Sequence, residues 1–222
     1  MRGLIKYFLI IFFIANASSQ DKLFTIIEPD ESGIHFSNDL IDTKENNVFL
    51  YANFYGGAGV GVGDFDNDGL DDLFFAGNLV DDKIYKNLGN FKFQDKTPNS
   101  GIINDSSWST GVTVADVNND GLLDIYVSCE LYDDQPKLRT NKLYINKGNF
   151  KFDELAAKWN VDVDRRTRHA VFFDYNKDGL LDLYLLNHPP NTGNFSPFLG
   201  TDMKLPEYNL QLFENKEGFF ED

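Results

Sequence analysis

Asp64-Phe65-Asp66-Asn67-Asp68-Gly69-Leu70-Asp71-Asp72 is the stretch on which the reading of this chain turns. It returns as Asp116-Val117-Asn118-Asn119-Asp120-Gly121-Leu122-Leu123-Asp124 and again as Asp174-Tyr175-Asn176-Lys177-Asp178-Gly179-Leu180-Leu181-Asp182. Each copy sets Asp at position 1, Asp or Asn at 3, Asp at 5, Gly at 6 and Asp at 9. Hard oxygen donors at alternate positions, with glycine where the chain must turn tightly, make the ligand pattern of a short calcium loop. One acidic turn could be merely solvated; three with the same spacing argue for a shared ligand.

On this reading the side-chain oxygens come from Asp64, Asp66, Asp68 and Asp72, from Asp116, Asn118, Asp120 and Asp124, and from Asp174, Asn176, Asp178 and Asp182. The carbonyls of Leu70, Leu122 and Leu180 at position 7 add a donor to each loop, and water completes the shell. About three Ca²⁺ sites are expected. Asn118 and Asn176 keep the oxygen but lose the charge of Asp66, which predicts weaker binding at loops two and three. An EF-hand would need Glu at position 12, where this chain has Phe75, Val127 and Leu185. Magnesium prefers to keep its waters, and His35, His169, His188 and Cys129 lack the spacing of a transition-metal site.

Working outward, each loop lies between two apolar runs. Gly57 to Gly63, Ser109 to Ala115 and Arg168 to Phe173 precede the loops; Asp72 to Ala76, Asp124 to Ser128 and Asp182 to Leu186 follow them. Next come Lys83-Ile84-Tyr85-Lys86-Asn87, Lys142-Leu143-Tyr144-Ile145-Asn146 and Gln211-Leu212-Phe213-Glu214-Asn215, and then Phe91-Lys92-Phe93, Phe150-Lys151-Phe152 and Gly218-Phe219-Phe220. Short β-branched and aromatic runs divided by Gly, Asn and Asp read as strands. Four strands per unit, with loops 52 and 58 residues apart, predict an all-β chain of four-stranded β-propeller blades at about 54–95, 106–154 and 164–222. Glycines before the first loop fit inner strands crowded around a channel. Leu23-Phe24-Thr25-Ile26 with Ser32-Gly33-Ile34 echoes Phe91-Lys92-Phe93-Gln94 with Ser100-Gly101-Ile102, so an outer strand is expected over 22–27. Three blades do not close a ring of four to eight; a part of a larger propeller, or assembly of copies into one, is expected.

The 222 residues carry a net charge of −15, with 35 acidic against 20 basic, which disfavours nucleic acid and anionic membrane as partners. An aromatic content of 15% argues against general disorder. Cys129, the single cysteine, excludes an internal disulfide and reads as a small buried strand residue. Residues 1–19 read as a secretory signal: Arg2 and Lys6, an apolar run from Tyr7 to Ile14, then small residues at Ala15-Asn16-Ala17 or Ala17-Ser18-Ser19. The run is short for a membrane span, which needs roughly 20 residues. A secreted, periplasmic or cell-surface location is expected for residues 20–222. Arg165, Arg166, Arg168 and His169 form a basic patch in an acidic chain; Arg166, Arg168 and His169 are candidate anion or ligand contacts, with pairing to nearby carboxylates as the alternative. The long 187–209 connection is either a binding insertion or a tolerated surface loop.

The chain resembles the FG-GAP/VCBS repeats of integrin-alpha-like propellers, and more narrowly the ASPIC/UnbV-associated, cartilage-acidic-protein-like secreted family. The likeness is carried by Gly33-Ile34-His35-Phe36, by Gly56-Gly57-Ala58 ahead of the first loop, by Phe172 to Gly179, and by Asn146-Lys147-Gly148-Asn149-Phe150-Lys151-Phe152. The resemblance implies a seven- or eight-bladed calcium-binding propeller, with the twelve Asp and Asn positions above as ligands. The leucines after each loop glycine depart from the polar residue common there. No catalytic set transfers. The reading that follows is a calcium-stabilised binding or adhesion scaffold for a protein or glycan, rather than an enzyme. Its alternatives are a carbohydrate-active lyase or hydrolase and a purely structural module of a larger protein.

Overall fold

Alternation of buried and exposed residues on either side of each acidic loop builds an antiparallel hairpin, and each hairpin recruits two further strands. The computed structural model describes residues 23–51, 53–103, 105–131, 136–188 and 210–222. The signal reading of residues 1–19 and the body of the 187–209 connection lie outside them. Three four-stranded antiparallel sheets result, each in simple sequence order. The first holds β1 (Val60–Gly63), β2 (Asp72–Phe75), β3 (Lys83–Asn87) and β4 (Phe93–Asp95). The second holds β5 (Ser109–Ala115), β6 (Asp124–Cys129), β7 (Lys142–Asn146) and β8 (Phe152–Glu154). The third holds β9 (Thr167–Phe173), β10 (Asp182–Asn187), β11 (Gln211–Asn215) and β12 (Phe220–Glu221). Two single-turn helices, α1 (Pro29–Ser32) and α2 (Pro136–Arg139), are the only helical elements among the described residues. These are blades of an unclosed propeller.

Of the inner strands, β5 adjoins β1 on one side and β9 on the other. Thr110 Oγ donates to Thr167 O at 2.8 Å and Thr113 Oγ to Ala170 O at 2.6 Å across the second seam. At the first seam a Cβ on Gly61 would stand 2.7 Å from Val112 Cγ1, closer than real contacts allow, so only glycine permits this approach. The blades pack face to face. Phe65, Phe74 and Ile84 meet Val112, Ile125 and Tyr144 in one core, while Tyr126, Leu143 and Ile145 meet Leu183, Leu185 and Phe213 in the next. Burial of each such side chain stabilises by about 1.5–3 kcal/mol. Blade two is covered on both faces, so every residue of β6 is buried, Cys129 included. Strand β2, covered less, keeps a period-two pattern.

Of the outer strand expected over 22–27, residues 23–27 are described; they join no sheet among the described residues, and Leu23, Phe24 and Ile26 stand exposed. Each described sheet already has its own fourth strand, so this segment finds no edge to join. The outer strands themselves begin later than their aromatic runs suggested. Gly89, Asn90 and Phe91 all have positive φ, as do Gly148, Asn149 and Phe150, so these aromatics belong to tight turns.

The echo between residues 32–34 and 100–102 has a structural basis. Ser100 O accepts the Phe152 N–H at 2.7 Å, laying the segment after one blade along the outer edge of the following one. A Cβ on Gly101 (φ +95°) would lie 2.0 Å from Phe152 O, and one on Gly33 (φ +80°) 2.4 Å from Phe93 O. The third position is Asn160 (φ +60°), whose side chain donates to Phe220 O at 2.9 Å.

Candidate metal centre

In each loop the backbone is shaped by the loop's own carboxylates. Asp64 accepts the N–H groups of Asp68 at 3.0 Å and Gly69 at 2.7 Å; Asp116 does the same for Asp120 and Gly121, and Asp174 for Asp178 and Gly179. Asp68, Asp120 and Asp178 each accept the N–H of the position-7 leucine at 2.9 Å. The loops also touch one another: Asn67 donates to Gly121 O at 3.0 Å and Asn119 to Gly179 O at 3.4 Å.

The position-9 aspartates are buried staples. Asp72 accepts Phe65 N–H at 2.9 Å and Asn87 N–H at 2.7 Å, tying its loop to β3. Asp124 binds Val117 and Asn146 in the same way, and Asp182 binds Tyr175 and Asn215. Burial raises the Asp72 carboxyl above its ordinary value and pushes Asp124 up to about 7, against the pull of their backbone donors. The asparagines at the ends of β3, β7 and β11 complete the staple. Asn87 donates to Asp71 O, Asn146 to Leu123 O and Asn215 to Leu181 O. Asn146 also reaches back to Phe65 O at 2.9 Å and Asn215 to Val117 O at 3.1 Å, each in the preceding blade. The recurrence of Asn at this offset was the available signal; its role as an interblade tie was not legible.

Loop one gathers the densest acidic group. Asp64, Asp66 and Asp72 place one carboxylate oxygen each within 4.8 Å of the others. Asp66 Oδ1 is buried and has no hydrogen-bond partner among the described residues. A divalent cation with hard-oxygen preference fits such a donor set. Lys86 on β3 also enters here. It pairs with Asp66 and, at 2.6 Å, with Asp68, and lies 5.6 Å from the centroid of the Phe150 ring. Burial disfavours its charge, but the bonds to both aspartates outweigh that and push Lys86 up to about 12. The bonds from Lys86 and from the Leu70 N–H hold Asp68 below its ordinary value.

In loops two and three the amides of Asn118 and Asn176 accept the N–H of Asp120 and Asp178 and donate to their carboxylates. Ile145 and Glu214 stand where blade one has Lys86. Glu214 accepts from Asn176 at 3.1 Å, bringing a further carboxylate to loop three.

The basic patch lies at the other end of the inner strands. Arg166 is buried, Arg168 is half-buried and His169 is exposed. Arg168 Nη1 pairs with Glu130 at 2.5 Å, and His188 Nε2 bonds the second Glu130 oxygen. Burial opposes the Glu130 charge, but His188, Tyr51 and Arg168 outweigh it and hold this carboxyl below its ordinary value. Glu130, missed from sequence, gives Arg168 the carboxylate partner that was the alternative to anion binding.

Residues 64–127 match the FG-GAP-like repeat. The matched span runs from the first acidic loop through the second and into β6, so it contains two of the three acidic loops. Cartilage acidic protein 1 of Xenopus tropicalis is 26% identical over 179 residues, covering 79% of this chain and 27% of that protein. Residues 64–127 thus form an FG-GAP-like repeat, and the chain as a whole is distantly similar to cartilage acidic protein 1. The FG-GAP-like repeat accounts for the recurring loop and strand order. The chain spans about a quarter of its relative's length, at 27%. No helix among the described residues is long and apolar enough to cross a membrane.

Proposed function

We propose that this FG-GAP-like domain is a calcium-stabilised extracytoplasmic scaffold that binds a protein or glycan through loops on one end of its blades. The observation that carries the metal reading is the converging oxygen set of Asp64, Asp66 and Asp72, with Asp66 Oδ1 buried and unpartnered. Loop one would hold the ion through Asp64, Asp66, Asp68 and Asp72, loop two through Asp116, Asn118, Asp120 and Asp124, and loop three through Asp174, Asn176, Asp178 and Asp182. Bound calcium would supply neutralisation of clustered carboxylates at each strand-to-strand turn. The leader-like residues 1–19 support a location where calcium is plentiful. His169, one of the candidate ligand contacts, bonds no carboxylate among the described residues, so no acid–base pair supports the carbohydrate-active alternative there.

Scanning calorimetry on the full chain tests this. At a calcium concentration about 100 times Kd, each filled site adds about 2.7 kcal/mol, so the melting temperature should rise by several degrees over that in chelator. Equal melting in calcium, magnesium and chelator would overturn the reading.

A further inference from the structure

The acidic loops all follow the C-terminal ends of β1, β5 and β9, so the N-terminal ends of these strands lie at the opposite edge, roughly 20 Å away for a seven-residue strand. Two irregularities coincide there. The β5–β6 register slips between Ser109 and Val112, and the β9–β10 register slips so that Leu186 opposes His169 while Asn187 opposes Thr167. Arg168 is therefore the extra residue of a β-bulge, a device that re-aims a side chain. It points at a cavity of about 210 Å³ lined by Gly56, Gly57, Ala58, Gly59, Thr110 and Arg168.

This cavity is rich in unspent donors. Glu130 takes one hydrogen bond at Arg168 Nη1. The Nε and Nη2 edge of the guanidinium has no partner among the described residues, and that edge is one of the two that grip a carboxylate bidentately. The guanidinium rests on Gly56, where an added Cβ would meet Nη2 at 2.7 Å. Gly56 N–H bonds Asn53 O and Gly59 N–H bonds Thr110 O, but the N–H groups of Gly57 and Ala58 bond nothing among the described residues. Of the charged groups near Arg168, Glu130 and Arg166 both act on Tyr51, and neither lines the cavity. No carboxylate is among the described residues of the lining.

We infer that the cavity beside Arg168 is a subsite for a small carboxylate, held by the Nε and Nη2 edge of Arg168 and capped by the Gly57 and Ala58 amides. Its volume equals about seven waters at roughly 30 Å³ each, room for a carboxylate on a body of monosaccharide size. Glu130 then acts as a positioning residue that fixes Arg168 by its far corner. The inference rests on the binding-scaffold reading and names the ligand class, but it is independent of calcium, whose loops lie at the other end.

The test is titration of the full chain with glucuronate, acetate and inorganic sulfate at constant ionic strength, following the ¹⁵N-amide resonances of Gly57 and Ala58 and the Arg168 Nε signal. Saturable shifts at all three groups are expected with glucuronate, with affinity above that for sulfate. Arg168→Gln combined with Glu130→Gln, which removes both members of the Arg168–Glu130 pair, should weaken binding about tenfold or more. Absence of saturable shifts in the unaltered chain overturns the proposal, as does equal binding by the double variant, or sulfate binding as tightly as glucuronate. A calcium effect on melting without these shifts would defeat this subsite alone.

Discussion

Asn146 ties two blades and one loop together: its Nδ2 donates to Phe65 O in the preceding blade at 2.9 Å and to Leu123 O in its own at 3.0 Å. Its Oδ1 takes the Gly148 N–H at 2.8 Å, whereas the Oδ1 of the equivalent Asn215 is buried without a partner among the described residues. Truncation at 146 therefore removes one bond more than truncation at 215. Asn146→Ala should cost about 2–4 kcal/mol, and about 1 kcal/mol more than Asn215→Ala. Urea unfolding of both variants checks this; equal costs would refute the count.

Lys86 is a cation already seated in loop one, bonded to Asp66 and Asp68. An incoming ion must displace it, whereas Glu214 beside loop three is itself paired with Lys216 at 2.6 Å. The advantage expected for loop one from Asp66 against Asn118 and Asn176 should therefore be reduced. Lys86→Met should raise calcium affinity at loop one about tenfold, and isothermal titration of parent and variant would show it. An unchanged isotherm would mean that Lys86 leaves the loop at no cost.

Asp82 is buried beneath the first blade, accepting Gly77 N–H at 2.8 Å and Ser109 Oγ at 3.1 Å. Burial pushes its carboxyl up to about 6 from 3.8, only partly offset by Lys142 and these donors. A raised acid holds its proton longer in the folded chain. Its contribution is therefore fully present below pH 3.8 and is lost as pH rises to about 6, a fall on the order of 3 kcal/mol. Asp82→Asn keeps an acceptor for Gly77 and a group for Ser109, so it should flatten this part of the stability curve. Denaturant midpoints at pH 4, 5, 6 and 7 would expose parallel curves if Asp82 titrates normally.

Gly101→Ala puts a methyl 2.0 Å from the Phe152 carbonyl at a φ of +95°, and should destabilise by about 3 kcal/mol or more. Asn160→Gly loses one hydrogen bond to Phe220 O but relieves a positive φ, so it should stay within about 1 kcal/mol of the parent. Thermal melts of the two variants decide whether these residues share one job.

The fold was legible because the Asp and Gly positions of the loops repeat without error, and because the flanking strands carry enough Val, Ile, Tyr and Phe to declare themselves. Phe91 and Phe150 misled because an aromatic beside Lys and Phe reads as strand, while their positive φ is set by the turn before them. The loop aspartates were visible one by one. Their division of labour was not: whether Asp72 faces an ion or staples Phe65 to Asn87 depends on burial, which spacing does not record. The pairing of Glu130 with Arg168, 38 residues apart, leaves no local pattern at all.

The crossing at Gly33, Gly101 and Asn160 places the seal of each blade in chain that belongs to the repeat before it. Repeats counted from loop to loop are therefore out of phase with the units that can be moved. A duplication or deletion cut at Asp64 and Asp116 would strand a blade without its edge cover. One cut from Gly33 to Gly101, or from Gly101 to Asn160, would carry each seal with the sheet it closes. The length of such a protein can change only in these staggered steps.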